Sequence, residues 1–209
     1  MQLNKKNKLL NQLYISKILG YKYHNDIDIS SQNITFRLPN NIKEIDSIIN
    51  NCSLCTFSNK SNNKLTNLIK INKDILFIST FNLDTNDELF NAMLKNVLNL
   101  SIDDVNLLSI IKCDVETQIN CEAEINICKD YVNKQIELLK PKLIIMLGDS
   151  YNYLLNNNVN VNNIRGSMLK YKDINLLVMY HPEILRRNPS LKKDTLLDLQ
   201  KIKLIMETF

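Results

Sequence analysis

The chain has 209 residues, a length that fits one domain with a sizeable hydrophobic core. Hydrophobic residues make up 44% of it and charged residues 23%, and no apolar run approaches the ~18 residues that a membrane span requires. The composition therefore indicates a globular protein with no membrane partner. The amino terminus is basic but lacks the apolar core of a signal peptide, so we expect a cytoplasmic protein.

Positive charge is concentrated near the carboxyl terminus. The formal net charge is +4, yet the segment from Arg165 to Lys203 holds nine Arg and Lys residues against four Asp and Glu. Clustered positive charge is the footprint of a phosphate-backbone partner. A solvated helix face would give the same pattern, and composition alone does not separate the two.

The first 50 residues predict a helical extension. Apolar residues at helical spacing predict a helix over residues 4–19, and a polar, irregular stretch over residues 20–40 follows it. A short helix over residues 42–49 comes next. We therefore predict an amino-terminal helical extension over residues 1–50 and a main domain over residues 51–209.

The main domain alternates strands and helices. The apolar runs predict four strands, over residues 74–79, 105–111, 142–148 and 174–180. Helices are predicted between and after them, over residues 86–98, 122–139, 149–155 and 190–206. Repeated strand–helix units predict an α/β fold with three layers, α/β/α, around a central four-stranded parallel sheet.

The segment after the last predicted strand combines a titratable group with positive charge. It reads Tyr-His-Pro-Glu-Ile-Leu-Arg-Arg-Asn-Pro over residues 180–189. In parallel sheets ligands bind beyond the carboxyl ends of the strands, so His181 lies where the fold places a site. Arg186 and Arg187 beside it can reach a phosphate. A satisfied structural histidine is the alternative for His181.

Five cysteines remain to be explained. In a cytoplasmic chain a disulfide framework is not expected. Cys52 and Cys55 form a C-x-x-C pair, a spacing that suits one metal centre but also a redox motif. Cys113 and Cys128 could supply two further ligands, although Cys128 also fits the apolar stripe of its helix as a buried, inert residue. Four thiolates suit either zinc or an iron–sulfur cluster.

Taken together, these segments resemble the iron–sulfur uracil-DNA glycosylases, family four of that superfamily. The match is carried by the cysteine pair, by Ile-Lys-Cys over residues 111–113, by Cys128 in its helix, by Leu-Ile-Ile-Met-Leu-Gly-Asp over residues 143–149, by Arg165-Gly166, and by the His181 segment. It covers most of the chain from Cys52 onward.

The resemblance implies a cofactor, a partner and a set of roles. A structural [4Fe-4S] cluster would lie on Cys52, Cys55, Cys113 and Cys128, which leaves Cys121 as a free thiol. The partner would be DNA, uracil-containing or abasic, bound by a monomer. His181 would hydrogen-bond the uracil carbonyl as negative charge builds there. The DNA-binding residues would be Leu185 as the plug in the base stack, with Arg165, Arg186, Arg187 and Lys192 near phosphates.

The catalytic half departs from the family pattern. Where the family has a Gly-Glu-Ala-Pro-Gly segment that holds the water, this chain has Ser-Thr-Phe-Asn-Leu over residues 79–83, with Thr80 in place of the acid. Asp84 and Asp87 are the candidate substitutes. The family's Asn that reads the uracil edge corresponds to Ser109, which is too short for two hydrogen bonds to a pyrimidine.

Three hypotheses follow from these residues. The first is an active glycosylase of base-excision repair that uses His181, Ser109 and Thr80 in a remodelled pocket. The second is a non-catalytic iron–sulfur DNA-binding protein of the same fold. The third is a cluster protein with an unrelated ligand in the pocket.

Overall fold

The computed structural model describes residues 38–61, 63–65, 69–70, 72–116 and 121–209, together with Leu10 and residues 13–15 and 17–18. Most of the helix predicted over residues 4–19, and all but the end of the irregular stretch over residues 20–40, lie outside the described residues. Within the described part of the chain, no helix has the length and apolar character needed to cross a bilayer.

The core is a five-stranded mixed sheet. Its strands are β1 (Ile75–Ser79), β2 (Asn106–Ser109), β3 (Leu143–Leu147), β4 (Met168–Tyr171) and β5 (Ile174–Met179). They lie in the order β2-β1-β3-β5-β4, with every pair parallel except β4 and β5. The four predicted parallel strands are therefore confirmed as neighbours. The prediction of a four-stranded sheet was wrong by one strand.

The missed strand is the antiparallel edge strand β4. Its residues are mostly exposed or half-buried, whereas the residues of β1, β2 and β3 are all buried. An exposed edge strand needs no apolar run, so its sequence carries no strong strand signal. A tight turn with Lys172 at a φ of 54° connects it to β5.

Helices follow most of the strands. Their bounds are α1 (Ile42–Asn50), α2 (Thr56–Lys60), α3 (Glu88–Met93), α4 (Glu122–Leu139), α5 (Ser150–Leu155), α6 (Val161–Ile164), α7 (Pro182–Arg187) and α8 (Lys192–Met206). A π-helical turn, Leu94–Leu98, continues α3, and short 3-10 helices occupy Ile102–Asp104 and Pro189–Leu191.

The strand order places these helices in two layers. The chain moves from β1 to β2 in one direction along the sheet, and then from β2 to β3 and on to β5 in the other. Because crossovers between parallel strands are right-handed, α3 covers one face and α4 and α5 cover the other. In agreement, α8 packs against the π-helical turn, and α4 packs against α5.

Helix α1 forms a second, smaller core with α4. Asn41 caps α1 by accepting a hydrogen bond from the backbone N–H of Lys43 at 2.9 Å. The buried face of α1 presents Ile45, Ile48 and Ile49, which cluster with Tyr131 of α4 and with Cys52. This packing holds the C-x-x-C pair, just after α1, against the main domain.

Candidate functional site

A cavity of about 320 Å³ lies at the carboxyl ends of the parallel strands. Small-molecule sites in open α/β sheets form at this edge, and the volume is within the range of ligand pockets. Its walls come from the strand ends, from the loop after β1 and from residues 64–65. The polar side chains among its lining residues belong to Lys64, Ser79, Asn82, Asp84, Thr85 and Ser109.

Two serines at the ends of neighbouring strands line this cavity. Ser79 ends β1 and Ser109 ends β2, and the two are partners in the parallel register. Both are buried and both line the cavity. The sequence predicted Ser109 as a site residue and did not predict Ser79, although both lie at or near the carboxyl end of a predicted strand. Thr80 is half-buried, is not among the residues that line the cavity, and accepts a bond from the N–H of Ile111 through its carbonyl at 2.9 Å.

The two acidic substitutes for the missing family residue differ in position. Asp84 lines the cavity, where one of its carboxylate oxygens accepts a hydrogen bond from the backbone N–H of Asn86 at 2.9 Å. Asp87 caps α3 by accepting from the N–H of Phe90 at 2.9 Å, and its other oxygen is bound by Arg186. Of the two, Asp84 is the carboxylate available to the cavity.

His181 is the N-cap of the short helix α7. Its Nδ1 accepts a hydrogen bond from the backbone N–H of Glu183 at 3.2 Å, so the neutral ring carries its proton on Nε2. Burial lowers the pKa of His181 from 6.5, against opposing effects of Glu183 and Asp87. At neutral pH the ring is therefore uncharged and offers a single Nε2–H donor.

His181 lies next to the cavity without lining it. A Cβ added at Gly148, which follows the lining residue Leu147, would be 3.4 Å from the His181 Cβ. Gly148 also has a φ of 60°, a conformation that favours glycine. This close approach of the β3 turn to the start of α7 sets the position of the imidazole.

The apolar residue exposed by α7 is not the one expected. The resemblance implies that Leu185 is the plug, yet Leu185 is 1% exposed and belongs to the main core. Its neighbour Ile184 is 37% exposed. In this conformation Leu185 cannot fill a gap in a base stack without leaving the core. Ile184 is the apolar side chain that α7 presents outward.

Arg165 forms ion pairs within the protein. Its guanidinium donates to both carboxylate oxygens of Asp198 at 2.9 Å, forms a salt bridge with Asp194 at 3.1 Å, and lies over the ring of Tyr180. Asp198 is 1% exposed. The sequence predicts a phosphate contact for Arg165, but these contacts occupy the guanidinium inside the protein.

The three other cations predicted to contact phosphate, Arg186, Arg187 and Lys192, differ in their contacts within the protein. Arg186 donates two hydrogen bonds of 2.7 Å to Asp87. Arg187 is exposed and pairs with Glu183 one turn earlier in its own helix. Lys192 is exposed at the start of α8. Arg186 is also exposed, but a carboxylate from another segment of the chain binds it, whereas the described residues show no such contact for Arg187 or Lys192.

Four of the five cysteines are brought together from three segments of the chain. A hydrogen bond between the Cys55 and Cys113 thiols lowers the pKa of Cys55 to about 6 and raises that of Cys113. Burial raises the pKa of Cys52, and raises that of Cys128 to about 12. Charges on Cys52 and Cys55 both act on Cys128. The four sulfurs therefore share one electrostatic environment.

Cys121 lies apart from this group. Burial raises its pKa, and the charges that act on it are those of Glu122 and Glu124. That the four grouped cysteines bind one metal centre and that Cys121 is a free thiol stays a prediction. Across the described ranges, no three His, Cys, Asp or Glu side chains are arranged to hold a metal ion.

Two lysines adjoin the cysteine group. Lys64 donates to the carbonyl of Ser58 at 3.1 Å and to the Cys113 sulfur at 3.5 Å, and it also lines the cavity. Lys112 is fully buried, and its Nζ has no hydrogen-bond partner among the described residues. Burial lowers the pKa of Lys112 to about 7, while Cys128 and Asp46 raise it. The sequence singled out neither lysine as a site residue.

Comparison with known proteins agrees with this geometry. The profile described as the Uracil DNA glycosylase superfamily matches residues 53–200. Over 126 residues the chain is 32% identical to a "Type-4 uracil-DNA glycosylase" of Sulfurisphaera tokodaii, and 27% identical to a protein of the same name from Saccharolobus solfataricus. These matches cover 56% of this chain and 57% and 58% of the two relatives. The chain belongs to the uracil-DNA glycosylase superfamily.

Proposed function

We propose that this protein is a DNA-repair hydrolase that removes uracil from DNA. The observation that carries the proposal is the neutral His181, which offers an Nε2–H donor beside a cavity at the carboxyl edge of the sheet. The names of the two relatives support uracil as the base. An enzyme that acts on a base in a duplex must flip that base out, and a cavity of this size can receive it.

The chemistry of glycosidic cleavage makes the histidine donor important. As the bond from the sugar to the base breaks, negative charge develops on the pyrimidine oxygens. A neutral imidazole stabilises that charge by hydrogen bonding, and one such donor typically contributes a factor of about 10²–10³ in rate. Because Nδ1 is occupied by the Glu183 N–H, the ring cannot present the wrong tautomer to the base.

The other groups of the cavity complete the reaction in this proposal. Asp84 would hold the attacking water, in place of the acid that the family has at position 80. The hydroxyls of Ser79 and Ser109 would contact the base edge. A hydroxyl offers fewer directed hydrogen bonds than an amide, so we expect weaker discrimination between uracil and other pyrimidines.

The thiols of Cys52, Cys55, Cys113 and Cys128 would hold a [4Fe-4S] cluster. Four soft donors without a histidine suit such a cluster. The buried side chain of Lys112 supports this fit, because its Nζ has no hydrogen-bond partner among the described residues and a cluster with thiolate ligands would place negative charge near it. Once bound, the cluster would be structural and would tie α1 and α4 to the segment that carries Cys113.

DNA contacts would come from the exposed side of α7 and the start of α8. Arg187 and Lys192 are the exposed cations for the phosphate backbone. Ile184, rather than Leu185, would enter the space left by the flipped base. A monomer working in the cytoplasm remains our prediction for the acting form.

A second candidate function is DNA binding without catalysis. The observation that favours it is that Thr80 and Ser109 stand where the family has its acid and its amide, and that Thr80 does not line the cavity. Such a protein would keep its cluster and its DNA-binding surface. It would bind duplexes with the same salt dependence and release no base.

An oligonucleotide assay separates the two candidates. Anaerobically prepared protein is incubated with a duplex that holds one uracil, and abasic sites are detected by strand cleavage in alkali. Product that disappears in His181→Ala, with duplex binding unchanged, supports excision. Failure to form product, together with salt-dependent binding that weakens in Arg187→Ala, supports the non-catalytic candidate and overturns the first.

A further inference from the structure

The proposed site combines two parts of the chain that are far apart in sequence. The loop after β1, residues 80–87, supplies one wall of the cavity through Asn82, Leu83, Asp84 and Thr85. The other part is α7, whose N-cap His181 lies next to the cavity. For the imidazole to meet a base in the cavity, the loop and α7 must keep a fixed separation.

Internal hydrogen bonds give the loop its shape. The N–H of Asp87 donates to the carbonyl of Asp84 at 3.1 Å, and the Asn91 side chain donates to the carbonyl of Thr85 at 2.8 Å. These bonds join the loop to α3, which follows it. They do not join it to α7.

The contact between the loop and α7 is an ion pair. Both terminal nitrogens of Arg186 lie 2.7 Å from the same carboxylate oxygen of Asp87, across 99 positions of sequence. The Asp87 side chain is 6% exposed, whereas that of Arg186 is 51% exposed. A desolvated carboxylate attracts its cationic partner more strongly than an exposed carboxylate does. Removal of that partner leaves the carboxylate as a buried charge.

The pair also lies close to the histidine. The charges of Asp87 and Arg186 both reach His181, with opposite effects on its pKa. Asp87 is also held by its role as the cap of α3. One of its carboxylate oxygens accepts a hydrogen bond from the N–H of Phe90, and the other accepts from Arg186. The start of α3 and the last turn of α7 are thus joined through the carboxylate of Asp87.

We infer that the Arg186–Asp87 ion pair is a latch that holds the cavity wall against α7, which makes Arg186 a positioning residue rather than a phosphate contact. The inference rests on the proposed function for its consequence, because the positioned group is His181 and the wall is that of the base pocket. It replaces the expectation that both arginines of α7 serve the DNA backbone.

The two roles of Arg186 predict different measurements. A phosphate contact contributes to the salt dependence of duplex binding, and its removal lowers the slope by about one. A latch contributes nothing to that slope, but its removal frees the loop, so that amide hydrogens of residues 80–87 exchange faster. Arg187, the exposed neighbour on the same helix, is the matched control.

The experiment uses the full cluster-loaded chain and the variants Arg186→Gln, Arg186→Lys, Asp87→Asn, Arg187→Gln and the double variant of positions 87 and 186. Asparagine retains the helix cap, so Asp87→Asn removes the charge with little other change. Hydrogen exchange of residues 80–87 and the salt slope for an undamaged duplex are measured for each. Single-turnover uracil release is measured at saturating protein.

We expect Arg186→Gln and Asp87→Asn each to speed exchange of the loop at least about tenfold, with no further gain in the double variant. Arg186→Lys should restore most of the protection. Uracil release should slow by about tenfold in Arg186→Gln, while the Kd of this variant for the duplex stays within about twofold of the wild-type value. Arg187→Gln should instead lower the salt slope and leave loop exchange unchanged.

Two results for Arg186→Gln would overturn the latch. One is hydrogen exchange of residues 80–87 at the wild-type rate, and the other is a salt slope reduced as it is in Arg187→Gln. Exchange and salt dependence require no base excision. A protein that releases no uracil but shows the expected exchange pattern would therefore refute the proposed function and leave the latch standing.

Discussion

Replacing Arg165 with methionine should destabilise the fold far more than it weakens DNA binding. At 2.9 Å and an effective dielectric constant of about 20, the attraction between Arg165 and Asp198 is about 6 kcal/mol. Part of this only offsets the cost of desolvating the two groups. Removing one partner of a buried pair costs about 3–5 kcal/mol, and we expect about 3 because Lys201 also lies near Asp198.

The pH dependence of this loss has a definite sign. Burial raises the pKa of Asp198, and Arg165 opposes that rise, so the variant should raise it further. A carboxyl whose folded pKa is raised is favoured in its protonated form, which is populated at low pH. The stability deficit of Arg165→Met should therefore be largest at neutral pH and should shrink as the pH falls and Asp198 takes up a proton.

Urea unfolding at pH 7.5 and pH 5, at about equal ionic strength, measures both quantities. The matched control is Lys142→Met, which breaks the exposed Lys142–Asp74 pair of 3.1 Å and should cost less than about 1 kcal/mol. A loss of unfolding free energy in Arg165→Met no larger than the loss in Lys142→Met would refute the argument from burial. So would a salt slope for duplex binding reduced by about one, because that is the signature of a phosphate contact.

Three further predictions test other parts of the structure. Gly166→Ala should cost more than about 2 kcal/mol in urea unfolding, because φ is 65° and a Cβ would lie 2.2 Å from the Asp198 carboxylate; a cost under about 0.5 kcal/mol would contradict this. Cys121→Ser should keep the cluster absorbance near ~400 nm while Cys128→Ser loses it, and equal effects would be inconsistent with the assignment. Because burial lowers the pKa of His181 from 6.5, stability should fall as the pH drops below that value, and His181→Gln should remove this component in urea unfolding.

The parallel strands were predictable because they are buried on both faces. Such strands read as continuous apolar runs, and β1, β3 and β5 differ from their predicted bounds by one residue at one or both ends. The edge strand β4 is half-exposed and carries no such run. Helix α7 was also missed, because Pro182 and Pro189 favour a loop when read locally, although Pro182 is compatible with the first helical turn, where the structure has it.

The candidate site was predictable in its positions and less so in its contacts. The His181 segment could be selected from residue type and position, whereas the choice of four of the five cysteines came from the family resemblance and stays a prediction. Arg165 and Arg186 were assigned to phosphate because their acidic partners lie 33 and 99 positions away, where no local pattern reveals them. Which of Ile184 and Leu185 faces the core depends on how α7 packs, and a sequence with both residues apolar does not specify that.

Release of free uracil under single-turnover conditions tests the central claim most directly. Cluster-loaded wild-type protein and His181→Ala are mixed in excess with a duplex that holds one uracil, and the base is measured by mass spectrometry. We predict stoichiometric release by the wild type, with release by His181→Ala at least about 100-fold slower at the same duplex affinity. The account is contradicted if loaded wild-type protein binds the duplex and releases no uracil, or if the two proteins release it at equal rates.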